Sequence, residues 1–289
     1  MKSVYYSALA RAEMILKGNA LAPLRHCLGR WRLLRAVARR SVRGIRKALL
    51  PKNPEWVQVR GGLAQGIWLR LNLRDEAVYW FGIHEPIVLD SLKKLSAPGS
   101  VFYDVGAHLG FFSVSAAKFI GPQGMVMAFE AERDNWARIK ENAIRNGFED
   151  RIALVEAAAW SHSSSTGIPF KRGRWPRAHG GVWADGVIPV LAEGEVESVP
   201  AVSLDDYFRM GGRRPDALKI DVEGGECEVL KGAAELLCAA RPALICEVHH
   251  EQAAEWIRDW LARKGYLLEW HVPEQLYPRL LVAQAADAG

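Results

Sequence analysis

The chain of 289 residues predicts an α/β protein whose mostly parallel, twisted sheet carries helices on both faces, and three observations support this. From residue 98 onward, short apolar runs alternate with segments of helical period, the order that strand-helix-strand crossovers require. The first run, VFYDVG, ends in Asp104 and Gly106 and leads straight into FFSVSAAKF, so a strand passes through a glycine turn into a helix. A composition of 49% apolar and 25% charged residues is that of a globular chain, here long enough for one large domain with additions or two small ones.

Before that point the texture differs. Residues 1 to 55 form a basic extension, with 13 Lys/Arg against Glu13 and Glu55, a surplus of +11 that leaves −6 on the remainder. The remainder therefore has no overall attraction for nucleic acid. Between Leu21 and Leu50, residues Leu24, Leu28, Trp31, Leu34, Val37 and Ile45 fall at roughly helical spacing among Arg30, Arg32, Arg35, Arg39, Arg40, Arg43 and Arg46. A basic amphipathic helix of this kind is either a lid packed on the domain, the preferred reading, or a peripheral contact with anionic lipid through residues 21–50. Lys2 is followed by Tyr5, Tyr6, Arg11 and Glu13 rather than a clean apolar run, which argues against a secretory signal. No apolar run approaches the roughly 20 residues that span a bilayer. Cys27, Cys227, Cys238 and Cys246 show no CxxC spacing and read as reduced thiols. The expectation is a cytoplasmic protein, with membrane association through the basic helix as the alternative.

Residues 56–97 read as a small lead-in element: strands in WVQV and IWLRLNL separated by Gly61, Gly62 and Gly66, then a helix from Pro86 to Leu95. Residues 98–289 form the main domain. After the first strand and helix come a strand in MVMAFE, a helix from Arg133 to Asn146 and a strand in IALVEAAAW. Further on are a strand in ALKIDV, a helix in CEVLKGAAELL, a strand in ALICEV, a helix in AAEWIRDWLARKG, and strands in YLLEWHV and RLLVAQA. No helix separates the last two strands, so one of them runs antiparallel. The stretch 161–200, rich in Gly, Ser, Pro, Arg and Trp, is too long for an ordinary connection and reads as an insertion shaping a substrate pocket. Its Arg172, Arg174, Trp175, Arg177, His179 and Trp183 suit a sugar face or an anionic acceptor, or are simply solvated loop charges.

The turn Asp104-Val105-Gly106-Ala107-His108-Leu109-Gly110 resembles a dinucleotide loop but lacks the GxGxxG pattern, and an acid precedes its first glycine. A carboxylate there repels a pyrophosphate and attracts a cation. The loop therefore favours S-adenosylmethionine, a sulfonium with no phosphate, over NAD. Glu130, at the tip of the next strand, is placed to accept hydrogen bonds from ribose hydroxyls, a feature of NAD enzymes as well. A helix-capping carboxylate is the plainer account of Asp104.

Several blocks in order resemble the FkbM-type S-adenosylmethionine-dependent methyltransferases: IHEP (Ile83 to Pro86), FYDVGAHLGFFS (Phe102 to Ser113), FEAERDNWARIKENAIRNG (Phe129 to Gly147), VSLDDY (Val202 to Tyr207), LKIDVEGGECEVLKGA (Leu218 to Ala233) and ICEVH (Ile245 to His249). The resemblance implies a class I methyltransferase fold, a Rossmann-like seven-stranded sheet with the cofactor at the carboxyl ends of its strands, and usually O-methylation of a hydroxyl. Departures are small: Gly225 stands where alanine is commoner, and EAER replaces a proline-bearing EPxP. Glu85, His108, Ser113 and Asn135 within these blocks, and Ala158 in IALVEAAAW, join Asp104, Gly106, Gly110 and Glu130 as candidates for binding the cofactor.

A second acidic cluster, Lys219, Asp221, Glu223 and Glu226, sits where a parallel strand meets a helix, and Glu247 and His249 end the next strand. On a strand, Lys219, Asp221 and Glu223 share a side by the period of two. Methyl transfer to oxygen needs an aligned acceptor and help removing its proton. His249 or Asp221 is the candidate base, with Lys219 stabilising the developing alkoxide. A divalent cation held by Asp221, Glu247 and His249 is the less favoured alternative. Glu223 and Glu226 have a plainer role as helix N-terminal charges. The expected partner is a hydroxyl-bearing small molecule or a glycan, glycolipid or secondary metabolite. The competing functions are an NAD-dependent oxidoreductase and a methyltransferase-like module, without catalysis, recruited to membranes by the basic helix. The sequence leaves the oligomeric state open.

Overall fold

A computed structural model describes residues 50–171, 196–271 and 278–286. The basic segment short of Leu50, and Arg172 to Trp183 of the insertion, lie outside the described residues. The chain divides into two compact units between Pro86 and Ile87.

In the first unit, β1 (Glu55–Gln58) and β2 (Trp68–Leu71) pair antiparallel with Gln58 opposite Trp68, the hairpin that the Gly-separated runs predict. A helix that the pattern of this stretch does not predict follows, α1 (Leu73–Phe81). Asn72 caps it reciprocally: its Oδ1 accepts from the Arg74 N–H at 3.1 Å, and its own N–H donates to Glu76 Oε2 at 2.8 Å. Leu69, Leu71, Leu73, Ala77 and Trp80 are buried and make the unit's apolar side.

The second unit opens with the rest of α2 (Pro86–Leu95) and follows strand-helix alternation. Its elements are β3 (Val101–Val105), α3 (Phe111–Ile120), β4 (Met125–Phe129), α4 (Arg133–Arg145), β5 (Ile152–Val155), β6 (Ala158–Ala159), β7 (Ser164–Lys171), β8 (Val196–Val202), α5 (Leu204–Arg209), β9 (Ala217–Ile220), α6 (Glu226–Lys231), α7 (Ala234–Ala240), β10 (Ala243–Val248), α8 (Glu251–Arg263), β11 (Tyr266–His271) and β12 (Arg279–Ala285). The sheet has seven strands in the order β11-β12-β10-β9-β3-β4-β5, and β12 alone runs antiparallel to its neighbours. This is the seven-stranded sheet that the resemblance implies. Helices on both faces bury the central strands, so β9 is buried at every position and β3 at all but its first. Tyr103, Phe129, Leu218, Leu244, Ile257 and Leu261 belong to the main core. The strand order reverses between β3 and β9, whose carboxyl ends therefore flank the crevice in which open α/β sheets bind ligands.

Three local expectations are corrected. The run IALVEAAAW is not one strand: β5 pairs with β4, whereas β6 joins a separate sheet of order β6-β8-β7. The ends of the 161–200 stretch are thus strands, β7 and β8, paired antiparallel. The run CEVLKGAAELL is not one helix but two, α6 and α7, parted at Gly232. A Cβ on Gly232 would stand 2.0 Å from the Trp160 carbonyl oxygen, so the chain must pass here without a side chain. Finally, β9 stops at Ile220, so Asp221 and Glu223 lie beyond the strand and the period-of-two argument does not place them. Among the described residues no helix is long and apolar enough to cross a membrane, and Cys227, Cys238 and Cys246 are free thiols.

Candidate functional site

The glycine turn between β3 and α3 is shaped by its neighbours. Gly106 has φ 79°, and an added Cβ would lie 1.8 Å from the Asp221 carbonyl oxygen, so β3 and the end of β9 approach as closely as two backbones can. The Asp221 N–H donates to the Val105 carbonyl at 3.0 Å and extends that pairing past the strand. Gly110, φ 83°, lets the start of α3 pack against Ile139 of α4. His108 also holds a left-handed conformation, φ 52°.

The N–H groups of Gly106, Ala107, His108 and Gly110 are already engaged. Those of Gly106 and Ala107 donate to the Phe129 carbonyl at 3.0 and 3.1 Å, that of Gly110 to Ala107, and that of His108 to Glu130 Oε2 at 2.7 Å. A phosphate-binding loop needs such groups turned outward. This loop instead ties β3 to the tip of β4, a physical reason, beyond the acid at 104, for its unsuitability for pyrophosphate.

Glu130 is buried at the tip of β4 and held by the N–H of Glu132 at 2.8 Å and Asn135 Nδ2 at 3.3 Å as well as His108. Burial raises its pKa to about 7 even though these hydrogen bonds pull the other way. Asn135 thus reaches Glu130 from the first turn of α4, and Trp136 Nε1 donates to the Glu130 carbonyl at 2.8 Å.

Asp104 is not a helix cap. It is fully buried; its Oδ2 accepts from Ser113 Oγ at 2.6 Å and its Oδ1 lies 3.6 Å from Lys219 Nζ. Burial raises its pKa, with Lys219 and Ser113 opposing. Ser113 is likewise fully buried on this bond. Lys219, 2% exposed, lies 3.4 Å from Asp221 Oδ2 and over the Phe112 ring at 5.0 Å, so its ammonium joins the two strand-end carboxylates from within.

Beyond β9 and β10 the acidic cluster closes around one histidine. His249 Nδ1 lies 2.8 Å from Glu226 Oε1, and Nε2 lies 3.3 Å from Glu223 Oε2 and 3.9 Å from Asp221 Oδ1. Burial of His249 lowers its pKa, but the bond to Glu226 and the charges of Glu226, Glu223 and Asp221 outweigh it and raise the value to about 9. Glu226, fully buried at the first position of α6, also accepts from the Gly224 N–H at 2.8 Å. Its link to His249 is a feature that sequence reasoning missed. Asp221, Glu223 and His249 bring donor atoms within 4.8 Å of one another, as do Asp221 and Glu247. Of the remaining candidates, Ala158 is buried in β6, while Glu85 belongs to the first unit, φ 39°, with its Oε1 3.0 Å from His84 Nε2.

The family described as "Methyltransferase FkbM domain" matches residues 104–268, a stretch that contains both the loop and the histidine cluster. Hexuronic acid methyltransferase AglP of Haloferax volcanii is 29% identical over 167 residues, which are 57% of this chain and 62% of that protein. The chain thus spans about three-fifths of the length of this curated relative. Among solved structures, a methyltransferase FkbM from Methylobacillus flagellatus is similar at a TM-score of 0.47 and 14% identity, covering 74% of this chain and 56% of the other. A putative caffeoyl-CoA O-methyltransferase from Staphylococcus aureus is similar at 0.44 and 13%, covering 69% and 83%.

Proposed function

From the premise that this chain belongs to the FkbM methyltransferase family, we propose that it methylates a hydroxyl group of a glycan, glycolipid or secondary metabolite with S-adenosylmethionine as donor. The observation that carries the reading is the family match over 104–268, which covers the loop and the acidic cluster together. The similarity to a hexuronic acid methyltransferase supports an acceptor of the glycan class.

The residues present suit this donor. Glu130 uses protein donors on both oxygens yet retains lone-pair capacity, since a carboxylate offers about four acceptor positions. Three of these are taken, so it would accept one ribose hydroxyl on Oε2, with Gly106 and Gly110 shaping the adjoining turn. When bound, the cofactor supplies an electrophilic methyl group on a sulfonium. Asp221, half-buried at the end of β9 and steadied by Lys219, is the group that accepts the acceptor's proton. Lys219 is itself too enclosed to meet an alkoxide, so its part is to hold Asp221 in position.

Calorimetric titration with S-adenosylmethionine tests the reading, and no heat at millimolar ligand overturns it. Because the ribose needs an ionised Glu130, whose pKa is about 7, affinity is expected to be about tenfold higher at pH 8 than at pH 6. In Glu130→Gln this pH dependence disappears together with most of the affinity.

Metal dependence has its own measurement. A proton-accepting Asp221 needs no cation, so turnover after exhaustive chelation is expected to match that of untreated enzyme. Loss on chelation and recovery with magnesium would transfer the role to a cation on Asp221, Glu223 and His249.

A further inference from the structure

With one acceptor position of Glu130 left for a ribose hydroxyl, the neighbours of its two oxygens decide where that hydroxyl sits. Oε1 accepts from the Glu132 N–H at 2.8 Å and from Asn135 Nδ2 at 3.3 Å, which fills its two acceptor positions. Oε2 accepts from one donor among the described residues, the His108 N–H at 2.7 Å. We propose that His108 is a positioning residue whose left-handed backbone fills one side of Glu130 Oε2 and so fixes the single direction from which the donor's ribose can offer a hydroxyl. The proposal rests on the S-adenosylmethionine reading and deepens it: Glu130 distinguishes the two ribose hydroxyls, and residue 108 decides which one it takes.

The local structure explains how His108 comes to stand there. β3 and β4 are parallel with Val105 beside Phe129, so the turn that leaves β3 passes the tip of β4, where Glu130 follows. Three successive N–H groups then tie turn to tip: those of Gly106 and Ala107 share the Phe129 carbonyl, and that of His108 reaches one residue further, to the Glu130 carboxylate. Gly106 and Gly110 take left-handed angles without a side-chain cost, whereas His108, φ 52°, takes one with a side chain attached. Histidine, asparagine and aspartate are the side chains commonest in that region, and a β-branched residue is an outlier there. A right-handed residue 108 would turn its N–H away from Oε2 or redirect the chain entering α3. The strained backbone at 108 is therefore tied to one hydrogen bond, on a group that the donor uses.

The carboxylate on the other side of that bond has little freedom of its own. The Glu130 N–H donates to the Val155 carbonyl at 3.1 Å and its carbonyl accepts from Trp136 Nε1 at 2.8 Å, so β5 and α4 hold its backbone. Glu130 and Asn135 are both buried. Of the groups that act on the carboxylate, Glu132 is the charged one and its negative charge opposes ionisation, while the N–H groups of Glu132 and His108 and the Asn135 amide favour it. Loss of the His108 bond therefore leaves Oε2 with one donor fewer and raises the Glu130 pKa above its present value of about 7. A carboxylate that read both hydroxyls would have to displace Asn135 or the Glu132 N–H from Oε1, exchanging one hydrogen bond for another without gain.

The test is calorimetric titration of the full chain with S-adenosylmethionine and with its 2′-deoxy and 3′-deoxy forms. One deoxy form is expected to bind within about twofold of the parent and the other to lose about tenfold or more, the worth of a hydrogen bond to a charged group. Comparable loss with both forms, or loss with neither, overturns the proposal. His108→Asn, which tolerates the left-handed angle, is expected to keep the preference. His108→Val is expected to weaken the parent about tenfold and to erase the preference, and His108→Ala, a milder change, to move both in the same direction. A second measurement needs no ligand. The Glu130 carboxyl carbon, followed by NMR in the free chain, should titrate at about 7 in the unaltered protein and in His108→Asn, and higher in His108→Val and His108→Ala. An unmoved preference and an unmoved Glu130 midpoint in these last two variants show that residue 108 only completes the turn, and the proposal falls. No heat with S-adenosylmethionine removes the proposed activity, while a Glu130 midpoint that moves with residue 108 still ties His108 to the carboxylate.

Discussion

Gly106→Ala is expected to abolish donor binding and to destabilise the protein by about 3 kcal/mol or more. Two costs coincide at this position. The left-handed φ of 79° is strained for any residue with a side chain, and the new methyl group would stand 1.8 Å from the Asp221 carbonyl oxygen, far inside contact distance. Neither backbone can yield locally, because Gly106 N–H is bonded to Phe129 and Asp221 N–H to Val105. Relief would have to open the β3–β9 pairing at the crevice itself. For a domain of this size the loss corresponds to a melting temperature roughly 6–12 °C lower. Thermal unfolding followed by donor titration of the folded fraction checks both parts. A variant with unchanged melting and unchanged donor affinity would show that the glycine serves neither end. Gly99→Ala is the control, since its φ of 84° carries the same backbone strain while nothing lies within 4 Å of the added methyl. It should cost only the strain, about 1–2 kcal/mol, and spare donor binding.

The contrast between these glycines shows what a sequence does and does not reveal. The apolar runs at β3, β4, β9 and β10 could be read directly because strands buried on both faces leave nearly continuous apolar stretches. The antiparallel β12 followed from the lack of a helix before it. By contrast, LRDEAVYWF reads poorly as a helix because charge and apolar residues are mixed around it. Its one clear signal is local, Asn72 with Glu76 four residues on. The break in IALVEAAAW was hidden because alternation says which side a residue takes but not to which sheet it belongs. The pairing of Glu226 with His249 was hidden for a different reason. Glu226 looked like an ordinary acid at a helix start, and only the parallel register of β9 with β10, Ile220 beside Cys246, brings the two strand ends together. Asp104 was recognised as important, but the sequence could not show that Ser113 and Lys219 would enclose its carboxylate.

The acidic cluster around His249 sets the pH behaviour expected of the proposed activity. With a pKa of about 9, His249 is an imidazolium at neutral pH and has no lone pair with which to take a proton. Methyl transfer is therefore expected to be level from pH 7.5 to 8.5, above the Glu130 transition, and to fall above about 9, where the cation that orders Glu223 and Asp221 is lost. If His249 were the base, the rate would climb about tenfold per unit towards pH 9 over the same interval, and that profile would reassign the role. Stability should move with the histidine. Its folded pKa lies above the ordinary 6.5, so the contribution is complete below about 6.5 and disappears as the pH rises through about 9. The side chain is only 13% exposed, and a shift of this size corresponds to about 3 kcal/mol. Glu226→Gln removes the nearest charge and the strongest upward influence while keeping a hydrogen-bond acceptor for Nδ1. The His249 pKa, followed by NMR, should then fall, and the alkaline limb of the rate profile should move with it. A Glu226→Gln enzyme with an unmoved histidine and an unmoved profile would show that the buried carboxylate fills space without governing the site.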